Sequence, residues 1–122
     1  MPVQHYRKPR ASHHFVGRWH ITGMELWAED YLNMERQAFL EIRPDNSGEF
    51  QFGLVRGMMD GFLEGTPPKQ RFAFTRDGTD EMDPVSGSGW MRLRSADEAV
   101  GLIKIHLADR STFTARRARG GG

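Results

Sequence analysis

Four carboxylates crowd one stretch of this chain. Asp77, Asp80, Glu81 and Asp83 lie within DGTDEMDPVSGSGW, residues 77–90. Clustered carboxylates can hold a hard divalent cation, or supply a general base when neighbouring charge or burial raises one pKa. The spacing does not fit an EF-hand, which needs D-x-[DN]-x-[DN]-G and a distant Glu, so no metal site and no cofactor is expected. His106, in LIKIHLADRS, is the second candidate, because imidazole changes charge near neutral pH. Its H-x-x-D spacing to Asp109 is too short for a metal motif. Asp80, Glu81, Asp83 and His106 are therefore the catalytic candidates, provided that the fold brings them within about 3 Å of one another, directly or through water. The competing reading makes 77–90 a solvated rim loop, its Asp side chains capping turns and its Pro84 and Gly87 shaping the return to Trp90.

A third candidate is KQRFAFTR, 69–76, where Phe72 and Phe74 alternate between flanking Arg71 and Arg76. Aromatics interleaved with cations can stack on RNA bases. An RNA-recognition fold also needs two helices in a βαββαβ order, which this chain does not offer. Residues 21–109 moreover carry 9 basic against 16 acidic residues, an excess that opposes phosphate binding. Phe72 and Phe74 are expected to point into a core, and nucleic acid is not an expected partner.

The rest of the chain must position these groups. At 122 residues it is one domain by size. The net charge of +1 conceals basic ends, with four Lys or Arg and no acid in residues 1–20, and four Arg and no acid in residues 110–122. We read 1–14 as a flexible basic arm, 15–117 as the folded domain and 118–122 as a Gly-rich tail. There is no cysteine, which excludes disulfides, thiol catalysis and thiolate metal sites. No apolar run approaches the roughly 20 residues of a membrane helix, and the start lacks the apolar core of a signal peptide. No membrane partner and a cytoplasmic location are expected.

Between the ends, short alternating runs are separated by turn residues every dozen positions or so, which predicts a mostly β fold. The runs are 15–24, 38–43, 49–59, 71–76, 90–94, 100–107 and 111–116, seven strands in meander order. PDNSG, 44–48, is a turn with Pro pre-set and Gly free to take positive φ. The third run, EFQFGLVRGMM, puts Phe50, Phe52, Leu54 and Arg56 on one face. Only 24–38 dissents: Met24, Trp27, Tyr31, Met34 and Ala38 recur at spacings of 3 and 4, predicting a short amphipathic helix near 27–35. The expected architecture is a single antiparallel meander barrel of about seven strands, with that helix plugging one end.

The tripeptide Gly17-Arg18-Trp19 opens the first strand in a manner similar to lipocalins and their calycin relatives. That resemblance implies a calycin-like up-and-down barrel in which the Trp closes one end and packs near an Arg of the last strand, here Arg116 or Arg117. More broadly, GRWHITGMELW, GEFQFGLVRG, DEMDPVSGSGW and IHLADRSTFTAR together make 15–117 resemble a family of small, stand-alone bacterial proteins of unknown function. This resemblance implies membership and carries no site residues.

Three functions follow. A barrel of about eight strands is either filled or just wide enough for one small molecule. A binding module for a small apolar or amphipathic ligand would use Trp19, Trp27, Phe50, Phe52, Phe72, Phe74 and Trp90 as lining, with Arg56 or His106 as polar anchor. A homodimer formed through an exposed strand edge or aromatic patch is the second reading. An enzyme built on the loop carboxylates and His106 is the third. Ligand binding ranks first.

Overall fold

The computed structural model describes residues 14–80, 83–105 and 110–118, with the side chains of 79, 80, 83–85 and 105 outside that description. Eight antiparallel strands close into one barrel in strict chain order. They are β1 (Gly17–Met24), β2 (Phe39–Ile42), β3 (Ser47–Phe52), β4 (Val55–Glu64), β5 (Arg71–Asp80), β6 (Asp83–Leu93), β7 (Glu98–Ile105) and β8 (Arg110–Arg117). One short helix, α1 (Glu29–Leu32), joins β1 to β2. The meander is as expected, but the strand count is eight rather than seven.

The extra strand arises inside the run that reads as one. Gly53 takes φ 59° and is followed by Leu54 without positive φ, so the chain turns on two residues and Phe52 pairs with Val55. A single positive φ at the first central position suits the twist of a tight hairpin. This turn resets the side-chain parity. Phe50 and Phe52 stay inward while Arg56 goes outward, which corrects the shared face expected for them.

The acidic segment is also not a long loop. β5 and β6 stay paired from Phe72–Met91 out to Asp80–Asp83, leaving only residues 81 and 82 between them. Gly, Asp, Pro and Ser are poor strand formers on their own. Here their backbones are held between β4 and β7, with Gly57 opposite Gly78 and Gly87 opposite Ile105.

The predicted helix shrinks to one turn. Met24 and Ala38, the ends of the periodic run, are taken by pairing with Phe113 and by a backbone bond from Ile21 to the Ala38 carbonyl. Asn33 stops α1: its side chain accepts from Ala38 N at 2.9 Å.

Inside, large rings lie against glycines of neighbouring strands. A Cβ on Gly89 would come within 2.7 Å of the Phe74 ring, and one on Gly101 within 2.6 Å of the Phe113 ring. Phe15, Trp19, Ile21, Leu40, Ile42, Phe50, Phe52, Met59, Phe72, Met91 and Ile103 complete a core with almost no exposed area. This packing uses backbone positions without side chains to admit bulky ones.

Candidate functional site

The two barrel ends are built differently. At the end where β1 starts and β8 finishes, Trp19 is fully buried and its indole N–H donates to the Phe15 carbonyl at 3.0 Å. The Arg117 guanidinium lies 4.3 Å from the Trp19 ring centroid. It donates to the carbonyls of Val16 (3.1 Å), His14 (2.8 Å) and Ala96 (3.1 Å), and Asp97 stands 3.7 Å away. Of the two arginines expected near Trp19, Arg117 takes the place, because Trp19 and Arg117 are register partners and share the inward face. Arg116 faces outward onto Glu98. Cation–π contact and three carbonyls seal this end.

The other end carries α1. Leu32 is buried, and Gly53 N donates to its carbonyl at 2.8 Å. The Tyr31 hydroxyl accepts from Leu54 N at 3.3 Å. Trp27 is half-buried, with its ring 5.3 Å from Phe52 and 6.3 Å from Tyr31. The outer side of this cap leaves Leu26 and Met34 about half exposed, at 47% and 56%. The cap is anchored to the β3–β4 turn.

Beneath it, in the barrel interior, sits Arg76. It follows Phe72 and Phe74 on the inward face of β5, is 2% exposed, and lies 5.0 Å from the Phe50 ring centroid. Its register partners are Met59 on β4 and Gly87 on β6, neither of which offers a side-chain acceptor. Nε, Nη1 and Nη2 are all buried, and no hydrogen-bond partner for them exists among the described residues. Burial pushes its pKa down to about 10, so it stays charged at neutral pH.

Sequence reasoning missed this residue. It used Arg76 only as a cation flanking the Phe pair. The signal was present: extending the Phe72–Phe74 alternation by two positions puts Arg76 on the same face.

The expected lining is brought together in part. Trp19, Phe50, Phe52, Phe72 and Phe74 are inside, and Trp27 borders the helical cap. Trp90 and Arg56 are not in the lining. Trp90 is half-buried on the outer wall, because Met91 takes the inward position opposite Phe72, and Arg71 lies 5.2 Å from its ring. Arg56 is exposed and reaches Glu35 at 3.8 Å. Glu81 and His106 lie outside the described residues, as do the side chains of Asp80 and Asp83. Among the described residues, no group of three or more His, Asp or Glu could hold a metal ion, and no helix is long and apolar enough to cross a membrane.

On the outer wall, Phe62, Ala73, Trp90 and Leu102 pair in one row across β4 to β7. Phe62 is 56% exposed, and Met58, on the same wall, is 55%. Phe39 also faces outward but is covered by Arg18, 3.9 Å from its centroid, and Arg36, 5.2 Å. No family model, no characterised protein and no solved structure matches the chain.

Proposed function

We propose that this protein is a binding module for a small amphipathic molecule admitted at the helical end of the barrel. The contrast between the two ends carries this reading. One end is closed by Trp19, Arg117 and three backbone carbonyls; among the described residues, the other is covered by a single helical turn and half-buried aromatics. Such a turn is a marginal element that depends on its tertiary contacts, and such elements supply entrances. Trp27, Phe52 and Phe50 would line the path with apolar surface, as small-molecule sites do. The calycin-like resemblance at Gly17-Arg18-Trp19 fits the same use of the fold.

Three tryptophans in three environments make the test direct. In a titration with 1-octanol followed by indole N–H resonances, Trp27 at the cap should shift, whereas Trp90 on the outer wall should not. No change at any indole, or a change confined to Trp90, defeats this reading.

The row Phe62, Trp90 and Leu102 supports a second reading, self-association through the outer wall. Apolar groups that line up across four strands, exposed at Phe62 and half-buried at Trp90 and Leu102, are the kind of surface that interfaces use. Because the barrel is closed, an exposed strand edge is no longer part of that reading. An enzyme reading would rest on Asp80, Glu81, Asp83 and His106, and the described residues add nothing to it.

A further inference from the structure

We propose that Arg76 is the anchor for the carboxylate of a small monoanionic, amphipathic acid, an inference that rests on the lumen-binding reading above. An isolated buried charge is costly, and proteins ordinarily pair it or neutralise it. Arg76 does neither: it is 2% exposed and all three of its guanidinium nitrogens are without a partner among the described residues. A residue with only a packing role here would be better served by Met or Leu. A guanidinium retained in this place has a geometry suited to one thing above others, the two-pronged acceptance of a planar carboxylate.

The surroundings specify the rest of the molecule. Phe50 lies against the guanidinium, and Phe74 and Met59 are the apolar neighbours of Arg76 along its strand and across to β4. Gly57, Gly78 and Gly87, on β4, β5 and β6, give these strands no side chain at the positions beside it. Phe52 and Trp27 continue the apolar surface toward the helical end. An acid with a short apolar body matches this sequence of contacts.

Charge selects carboxylate over phosphate. Among the described inward-facing residues, the other cation is Arg117, and it is committed at the opposite end to three carbonyls. A single guanidinium neutralises a monoanion, but leaves a phosphate monoester carrying up to two charges only partly paired. Burial lowers the Arg76 pKa only to about 10, so the anchor keeps its charge through the physiological range.

The test compares octanoate, 1-octanol and octyl phosphate by calorimetry, on the full chain and its Arg76→Met and Arg76→Lys variants. The expected result is that octanoate binds the parent protein and Arg76→Met weakens it by about tenfold or more, the worth of a charge-assisted hydrogen bond. Arg76→Lys should fall between, because it keeps the charge and loses the fork, while 1-octanol should bind all three alike. Equal octanoate affinity in parent and Arg76→Met overturns the proposal; if Arg76→Met does not fold, equal affinity in Arg76→Lys does so. Tighter binding of octyl phosphate than of octanoate overturns the carboxylate assignment. Binding of 1-octanol without octanoate overturns the anchor and leaves the lumen reading standing. Binding of neither overturns both.

Discussion

The Arg117 guanidinium packs over the Trp19 indole at 4.3 Å, joining the last strand of the barrel to the first. The same guanidinium bonds three carbonyls from two other segments, around His14–Val16 and at Ala96. One side chain thus ties the start of β1, the β6–β7 turn and the end of β8 together. Removing it leaves backbone acceptors unpaired and Trp19 uncovered. Arg117→Ala should lower unfolding free energy by about 2–4 kcal/mol in urea denaturation. Arg117→Lys should recover less than half of that, because an ammonium cannot reach the carbonyls as a planar fork does. A loss within the error of the measurement would show that this end is not a keystone.

Arg76→Met should act in the opposite direction. Replacing a buried cation that has no partner among the described residues by an apolar side chain of similar length removes a desolvation cost, so the variant should be more stable by on the order of 2 kcal/mol. A gain in stability coupled to a loss of octanoate binding is the signature of a functional charge. A variant less stable than the parent would mean that Arg76 has an unrecognised partner.

That gain should depend on pH in a definite sense. Arg76 is a base whose folded pKa, about 10, is held by burial below its ordinary value in the unfolded chain. The folded state therefore releases the proton first, and the penalty on the parent is constant below about pH 10 and is relieved as pH rises above it. The stability difference between Arg76→Met and the parent should be flat from pH 6 to 9 and shrink above about 10. A difference that changes between pH 6 and 9 would contradict this assignment.

The glycines under the aromatic rings should tolerate no side chain. Gly101→Ala would bring a Cβ within 2.6 Å of the Phe113 ring and against the Trp90 carbonyl. It should cost about 1–3 kcal/mol, as overpacking does. Gly23→Ala, whose Cβ would meet only the Thr114 hydroxyl at 3.3 Å, should cost clearly less in the same assay. Equal costs would show that the ring contacts do not set the effect.

The outer row can be tested separately from the interior. Phe62→Ser removes the most exposed of its aromatics without touching the core. If the row is a self-association surface, sedimentation of the parent at high micromolar concentration should show a species that Phe62→Ser abolishes. A parent that sediments as a monomer throughout ends that reading.

Much of this architecture was legible in the residues themselves. Alternation at Phe50–Phe52 and Phe72–Phe74 placed four rings inside, and the tripeptide Gly17-Arg18-Trp19 placed the contact between Trp19 and a β8 arginine. Two features were hidden for identifiable reasons. Gly53-Leu54 lacks the Asn-Gly or Asp-Gly pair that marks a two-residue hairpin, so the parity change that sends Arg56 outward left no trace. The Gly, Asp and Ser of 77–89 oppose strand formation locally, and only pairing with β4 and β7 overrides them. Trp90 went astray through the same segment, since its facing depends on the register that Met91 shares with Phe72. The anchor Arg76 was missed because a cation is not ordinarily counted as interior.

Strict chain order around the ring also dictates how it must assemble. Seven of the eight strand pairings join sequence neighbours, and only β1 with β8 links the first strand to the last. Local hairpins can therefore form early and cheaply, whereas the β1–β8 seam must wait for a long loop to close. Thr22 with Thr114, Glu25 with Thr112 and Ala118 with Arg18 are bonds of that seam, and they gain nothing until both termini arrive. The seam is then the last part to form and the first to part, so the barrel opens like a clasp: weakening it hastens unfolding and leaves the rate of folding nearly untouched.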